Sequence, residues 1–146
     1  TRRRAIHDLY VKLLDGVNGL RVMSQPEGDV FNSNYWLTCI TVEPEEFGAS
    51  REEIRLALNA NNIESRPLWK PMHMQPLYRM NAFVTRAGSD RAKATYCING
   101  AEAVPNGNSA DVAMDIFERG VCLPSDIKMT TQEQDRIIEI IKSCFE

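Results

Sequence analysis

Arg66, Trp69, Lys70 and His73 fall within one short stretch, Arg66 to Pro76, that reads Arg-Pro-Leu-Trp-Lys-Pro-Met-His-Met-Gln-Pro. Two cations, an indole and an imidazole so close together make a cation-rich, aromatic binding loop. Pro67, Pro71 and Pro76 stiffen it. Each proline fixes its own φ and pushes the residue before it toward extended geometry, so no regular helix can run through. A stiff polar loop leaving a sheet edge is a place where binding residues are held in position by the scaffold.

The elements that must hold this loop follow from periodicity. Thr1 to Asp15 is expected to be a helix, with Ile6, Leu9, Tyr10, Leu13 and Leu14 on one stripe and Gly16 and Asn18-Gly19 stopping it. His7 lies beside that stripe and reads as surface or core filler. Leu20 to Met23 reads as a short strand and Ser24 to Ser33 as a polar turn region. Tyr35 to Val42, β-branched and aromatic, reads as the strongest strand, with Trp36 in the core. After a loop over Glu43 to Gly48, Ser50 and Glu53 form a capping box for a helix over Arg51 to Ala60 that buries Ile54, Ala57 and Leu58. Asn61-Asn62 ends that helix, and Ile63 to Arg66 returns as a strand leading into the loop.

Beyond the loop, Met74 to Met80 is expected to make one irregular helical turn. Between Asn81 and Asn108 periodicity is poor; Thr95 to Ile98 and Ala101 to Val104 could flank Asn99-Gly100 as a hairpin, or the segment is a mobile excursion. Ser109 is expected to cap a helix through Arg119 with Val112, Ile116 and Phe117 facing inward, ended by Gly120. Val121 to Leu123 reads as a short buried strand, broken by Pro124. Thr130 and Thr131 start a last helix that buries Ile137, Ile138, Ile140 and Ile141. The fold class expected is α+β, a small, largely antiparallel sheet backed by helices.

Composition bounds the partners. The chain has 146 residues, 43% hydrophobic and 25% charged, so it is globular and long enough for one domain with a core. A net charge of −3 supplies no basic field for nucleic acid, and Arg2-Arg3-Arg4 reads as a solvated helix start. No apolar run approaches the ~20 residues that span a bilayer, and a cytoplasmic location is expected. Cys39, Cys97, Cys122 and Cys144 include no pair at zinc or redox spacing and read as reduced, mostly buried thiols; no metal site is expected. Because the chain opens at Thr1 already in helical register, it is expected to be a piece of something larger.

Arg66 to Pro76, then Phe-Glu-Arg-Gly-Val-Cys-Leu-Pro-Ser (Phe117 to Ser125), then a Thr-initiated terminal helix resemble the DegT/DnrJ/StrS family of pyridoxal phosphate (PLP)-dependent nucleotide-sugar aminotransferases. The resemblance covers nearly the whole chain, but only the family's C-terminal small domain, as in aspartate-aminotransferase-fold (type I) PLP enzymes. It implies residues 1–146 as a single small domain, with the large PLP-binding domain absent from this sequence. The longer Asn81 to Asn108 segment departs from the family pattern. In the family the large domain carries the Schiff-base lysine, the acid opposite the pyridinium nitrogen and the phosphate cup. No catalytic residue, and no covalently bound cofactor, is therefore expected in this chain, which alone should be inactive.

In the parent enzyme, the resemblance implies glutamate as amino donor, a nucleoside-diphosphate 4-keto sugar as acceptor, and a homodimer. Arg66 and Lys70 would then suit the anionic oxygens of the diphosphate. Trp69 and Met72 would form an apolar wall against the sugar or nucleotide, and His73 would hydrogen-bond a sugar hydroxyl or the cofactor region. The alternatives are that Arg66 pairs with Glu64 or Glu53 and that Trp69 and Met72 are interface packing. A different class of function, a free-standing module gripping a protein partner, is the competing reading for the whole chain.

Overall fold

A computed structural model describes residues 2–26, 30–78, 82–84, 91–93 and 112–145. The chain forms two compact units: Thr1–Leu68 with Arg119–Glu146, and Trp69–Glu118. In the first unit, strands β1 (Leu20–Val22), β2 (Thr38–Val42), β6 (Gly120–Leu123) and β3 (Arg66–Pro67) form one sheet in the order β1-β2-β6-β3, every neighbouring pair antiparallel. Helices α1 (Arg2–Leu14), α2 (Pro44–Phe47), α3 (Arg51–Ala60) and α5 (Thr131–Lys142) accompany it. This is the α+β arrangement expected.

Alternation along β2 explains why helices cover one face. Thr38, Ile40 and Val42 are buried while Cys39 and Thr41, pointing the other way, are half-exposed. Ile40, Val42, Val121 and Leu123 join Ile6, Tyr10 and Leu14 of α1, Ile54 and Leu58 of α3, and Ile137, Ile138 and Ile141 of α5 in one core. Both long capped helices carry a full capping box, Ser50 with Glu53 and Thr130 with Glu133, which satisfies backbone N–H groups that the helix itself leaves open. Tyr10 is completely buried, and its hydroxyl donates to the carbonyl of Pro124 at 3.0 Å. Gly19 is required twice over: its φ is +68°, and a Cβ there would lie 2.4 Å from the backbone nitrogen of Phe47.

Several expectations shift. The strand expected from Tyr35 starts at Thr38, and Trp36 is 58% exposed rather than core. The cause is a turn: Asn34 Oδ1 accepts from Trp36 N–H at 2.9 Å, and Tyr35 has a φ of +48°, so the pleat begins only afterward. Tyr35 is buried in its place, with the His7 ring 4.0 Å away and the Arg4 guanidinium over its face. Glu43 to Gly48 contains a short helix, started by Pro44 in its first turn and ended by Gly48 at φ +90°. β3 begins at Arg66, not Ile63, because Ile63 N–H bonds the carbonyl of Leu58 and so still belongs to the end of α3. Ala57 and Ile140 are half-buried rather than buried.

The second unit contains a 3₁₀ turn at Met72–Met74, a hairpin of β4 (Ala82–Val84) and β5 (Arg91–Lys93), and residues Val112–Glu118 of α4 (Val112–Arg119). Within the Met74 to Met80 range expected to make an irregular turn, Tyr78 N–H does bond the Gln75 carbonyl at 2.9 Å, while residues 79 and 80 lie outside the described ones; the 3₁₀ turn comes just before. Pro71 precedes it with its φ already set, and Gln75, ahead of Pro76, is extended and ends it. In α4 it is Met114 that is buried; Val112, Ile116 and Phe117 are half-buried. Gly120 does not stand as a stop between helix and strand but is the first residue of β6. Ser109 and the hairpin expected around Asn99-Gly100 lie outside the described residues.

Candidate functional site

β3 is an edge strand, the position in a sheet where Pro67 can be accommodated, since no N–H is required on its open side. Arg66 stands opposite Cys122 and Pro67 opposite Val121, and Leu68 N–H donates to the carbonyl of Gly120 at 3.3 Å. The Arg66 side chain is 77% exposed, and its Nε and terminal nitrogen both donate to Glu64 Oε1, at 2.8 and 2.5 Å. Of the alternatives for Arg66, pairing with Glu64 is therefore present. A pair this exposed is worth about 0–1 kcal/mol, so an anion can compete for the guanidinium at little cost.

The other four predicted residues belong to the second unit. Trp69, Lys70 and Met72 are exposed and His73 is half-buried. The backbone is held from within: Met74 N–H bonds the Pro71 carbonyl, Gln75 N–H the Met72 carbonyl, and Gln75 Nε2 reaches the Lys70 carbonyl at 3.4 Å. The Trp69 indole and the Met72 thioether are 63% and 64% exposed, so they bury little apolar surface.

Tertiary structure also assembles groups that spacing does not reveal. A cleft of about 510 Å³ in the first unit is lined by Asn62, Glu64, Asp126, Lys128, Glu133 and Arg136, among others. It joins the linker after α3 to the one before α5, segments some sixty residues apart in sequence, so no local motif could announce it. Arg119 and Glu43 form a partly buried ion pair across the sheet's end. Arg2 and Arg4, read as a solvated helix start, are tethers: Arg2 donates to the Met129 carbonyl at 2.8 Å, and Arg4 donates to Asn32 and to the Ser33 carbonyl. His7 is core, as read, with Nε2 donating to the Met23 carbonyl at 3.2 Å. Among the described residues, no group of three or more His, Cys, Asp or Glu is placed to hold a metal ion, and no helix is long and apolar enough to cross a membrane.

The lysines decide what this chain offers PLP. Covalent chemistry on a cofactor carbonyl needs an amine held in a shielded site. Lys12, Lys70 and Lys128 are exposed and Lys142, on the last turn of α5, is half-buried. Among the lysines whose side chains are described, none is held in a shielded site.

Residues 1–142 match the DegT/DnrJ/EryC1/StrS aminotransferase family. EpsN of Bacillus subtilis (strain 168), assigned as a pyridoxal phosphate-dependent aminotransferase, is 35% identical over 144 residues, which is 99% of this chain and 31% of EpsN. The GDP-perosamine synthase of Vibrio cholerae is 30% identical over 143 residues, 98% of this chain and 32% of that enzyme. The PMP form of a protein from Streptococcus pneumoniae, Spr1654, assigned as a sugar aminotransferase, superposes with a TM-score of 0.64 at 25% identity, over 98% of this chain and 30% of that one. The chain thus spans about a third of the length of the relatives it matches. With its family model matched over residues 1–142 and EpsN 35% identical across 99% of it, this chain belongs to the DegT/DnrJ/EryC1/StrS family of aminotransferases.

Proposed function

We propose that this chain is the small domain of a PLP-dependent aminotransferase that moves an amino group from glutamate to a nucleotide-linked 4-keto sugar. The observation that carries the reading is the loop itself: in a chain of this family, Trp69, Lys70 and Met72 stand exposed on a proline-stiffened segment. PLP supplies an electron sink for amino transfer. In this reading it is held by a large domain outside this sequence, in a homodimer, in the cytoplasm. Lys70 and Arg66 hold anionic oxygens of the diphosphate, Arg66 by exchanging its Glu64 partner. Trp69 and Met72 wall the sugar or nucleotide, and His73 hydrogen-bonds a sugar hydroxyl. No observation favours a free-standing interaction module.

The test uses the full-length parent with glutamate and a nucleoside-diphosphate 4-keto sugar, following 2-oxoglutarate release. Lys70→Ala and His73→Ala are each expected to lower turnover about ten- to a hundredfold, the loss of a charge-assisted contact worth roughly 1.5–3 kcal/mol, with melting unchanged. Early melting with normal kinetics per folded molecule would make the loop packing and overturn the assignment. In parallel, this chain alone mixed with PLP is expected to give no visible absorption band that survives dialysis and maps to one lysine.

A further inference from the structure

Cys39 and Cys122, 83 residues apart in sequence, lie directly opposite each other on the central ladder of the sheet, with sulfur atoms 3.7 Å apart. The backbone pattern fixes what kind of pair this is. Met23 N–H donates to the Cys39 carbonyl, and Glu43 N–H to the Gly19 carbonyl, so Cys39 and its alternate neighbours aim their polar backbone groups at β1. On β6, Gly120 accepts from Leu68, so Gly120 and Cys122 aim theirs at β3. Cys39 and Cys122 are therefore a non-hydrogen-bonded pair, the kind whose Cα atoms approach to about 4.5 Å and whose side chains come closest. That spacing falls within the roughly 4.4–6.8 Å that a disulfide spans. Both side chains lie on the face opposite Ile40 and Val121; Cys39 is half-exposed, so peroxide reaches it first, and Cys122 is buried behind it.

We propose that Cys39 and Cys122 form a reversible disulfide, a modification site that responds to peroxide. The thiolate of one cysteine attacks a peroxide oxygen; the O–O bond breaks, a sulfenic acid forms and one water leaves. The neighbouring sulfur attacks the sulfenic sulfur; the S–S bond forms, the S–O bond breaks, and a second water carries off the oxygen. Two thiols lose two electrons and two protons, and one hydrogen peroxide becomes two waters. The contact also prepares the second step, because the resolving sulfur already stands 3.7 Å from the one that is oxidised. In a reducing compartment such a bond is transient, which is the regime of redox-responsive cysteines. Cys144 has no cysteine beside it among the described residues; its sulfur donates to the Ile140 carbonyl.

The protein is treated with stoichiometric hydrogen peroxide, acid-quenched, alkylated, digested and mapped by mass spectrometry, with far-UV circular dichroism verifying that it stays folded. The expected result is a linked peptide joining Cys39 to Cys122, the loss of both from the alkylatable thiols, and their return with dithiothreitol. Because the bond would close a long loop, the oxidised protein should also melt roughly 5–10 °C higher. Cys144→Ser should keep this shift, and Cys39→Ser or Cys122→Ser should abolish it. If Cys39 and Cys122 stay alkylatable in the folded, treated protein, or oxidise without becoming linked to each other, the proposal fails. Should the serine variants misfold, the peptide map of the unaltered chain decides alone.

Discussion

The helix-backed sheet and the proline loop solve opposite problems with similar raw material. Both are rich in large apolar and aromatic side chains. In the sheet unit Ile40, Val42, Ile54, Leu58 and Ile141 are wholly removed from water and interlock with one another. In the loop Trp69 and Met72 remain mostly in water, and what holds the chain is proline geometry and a few backbone hydrogen bonds. Side chains in the first region are committed to stability, so changing them must cost folding. Those in the second bury far less, and changing them should cost little folding and whatever the loop binds. The difference is measurable.

The largest effect is expected where commitment is greatest. Leu58→Ala and Ile138→Ala should each lower unfolding free energy by about 2–5 kcal/mol in urea titration, through lost transfer energy and a residual cavity. A loss under about 1 kcal/mol at both sites would mean that the core is not packed as described.

Tyr10 tests the same core by pH. Burial pushes its phenol well above the ordinary tyrosine value. A group raised on folding contributes stability that is fully present below its unfolded pKa of about 10 and is lost as pH rises beyond it. Stability should therefore fall above about pH 10, by up to ~1.4 kcal/mol per pH unit from this group. Tyr10→Phe should be less stable at neutral pH by about 1 kcal/mol, for the lost bond to Pro124, yet show a shallower alkaline decline. Parallel pH profiles for the two proteins would place the alkaline sensitivity elsewhere.

A smaller effect belongs to the helix ends. Thr130→Ala removes the oxygen that accepts from Glu133 N–H and should cost about 1 kcal/mol, with Thr130→Ser nearly restoring it. Thermal melts of the three proteins check this. Smallest of all should be the loop: Trp69→Ala and Lys70→Ala are expected to change unfolding free energy by no more than about 0.5 kcal/mol. A loss of about 2 kcal/mol or more at Trp69, the size of a core truncation, would erase the contrast and make the indole a packing residue.

Local rules made much of the first unit legible. Ser50 with Glu53, Thr130 with Glu133, the stripe of α1 and the isoleucines of α5 each act within one or two turns of chain, so spacing carries their geometry. The Arg66 to Pro76 block was legible as a stiff loop for the same reason. Where reading failed, a neighbour decided. Trp36 has strand-like chemistry, but Asn34 bends the backbone ahead of it. β3 could not be placed to the residue because its limits are set by which groups of β6 it meets.

The sequence by itself determined the long helices α1, α3 and α5, the capping boxes of α3 and α5, the proline-fixed loop and, through its motif blocks, the family. These depend on φ preferences and side-chain periods that each residue carries with it. Only the tertiary structure decided that β6 lies between β2 and β3 and that Cys39 faces Cys122. Strand order and register are contacts between segments distant along the chain. They are chosen by which apolar faces bury together, and no residue's own preferences contain that choice.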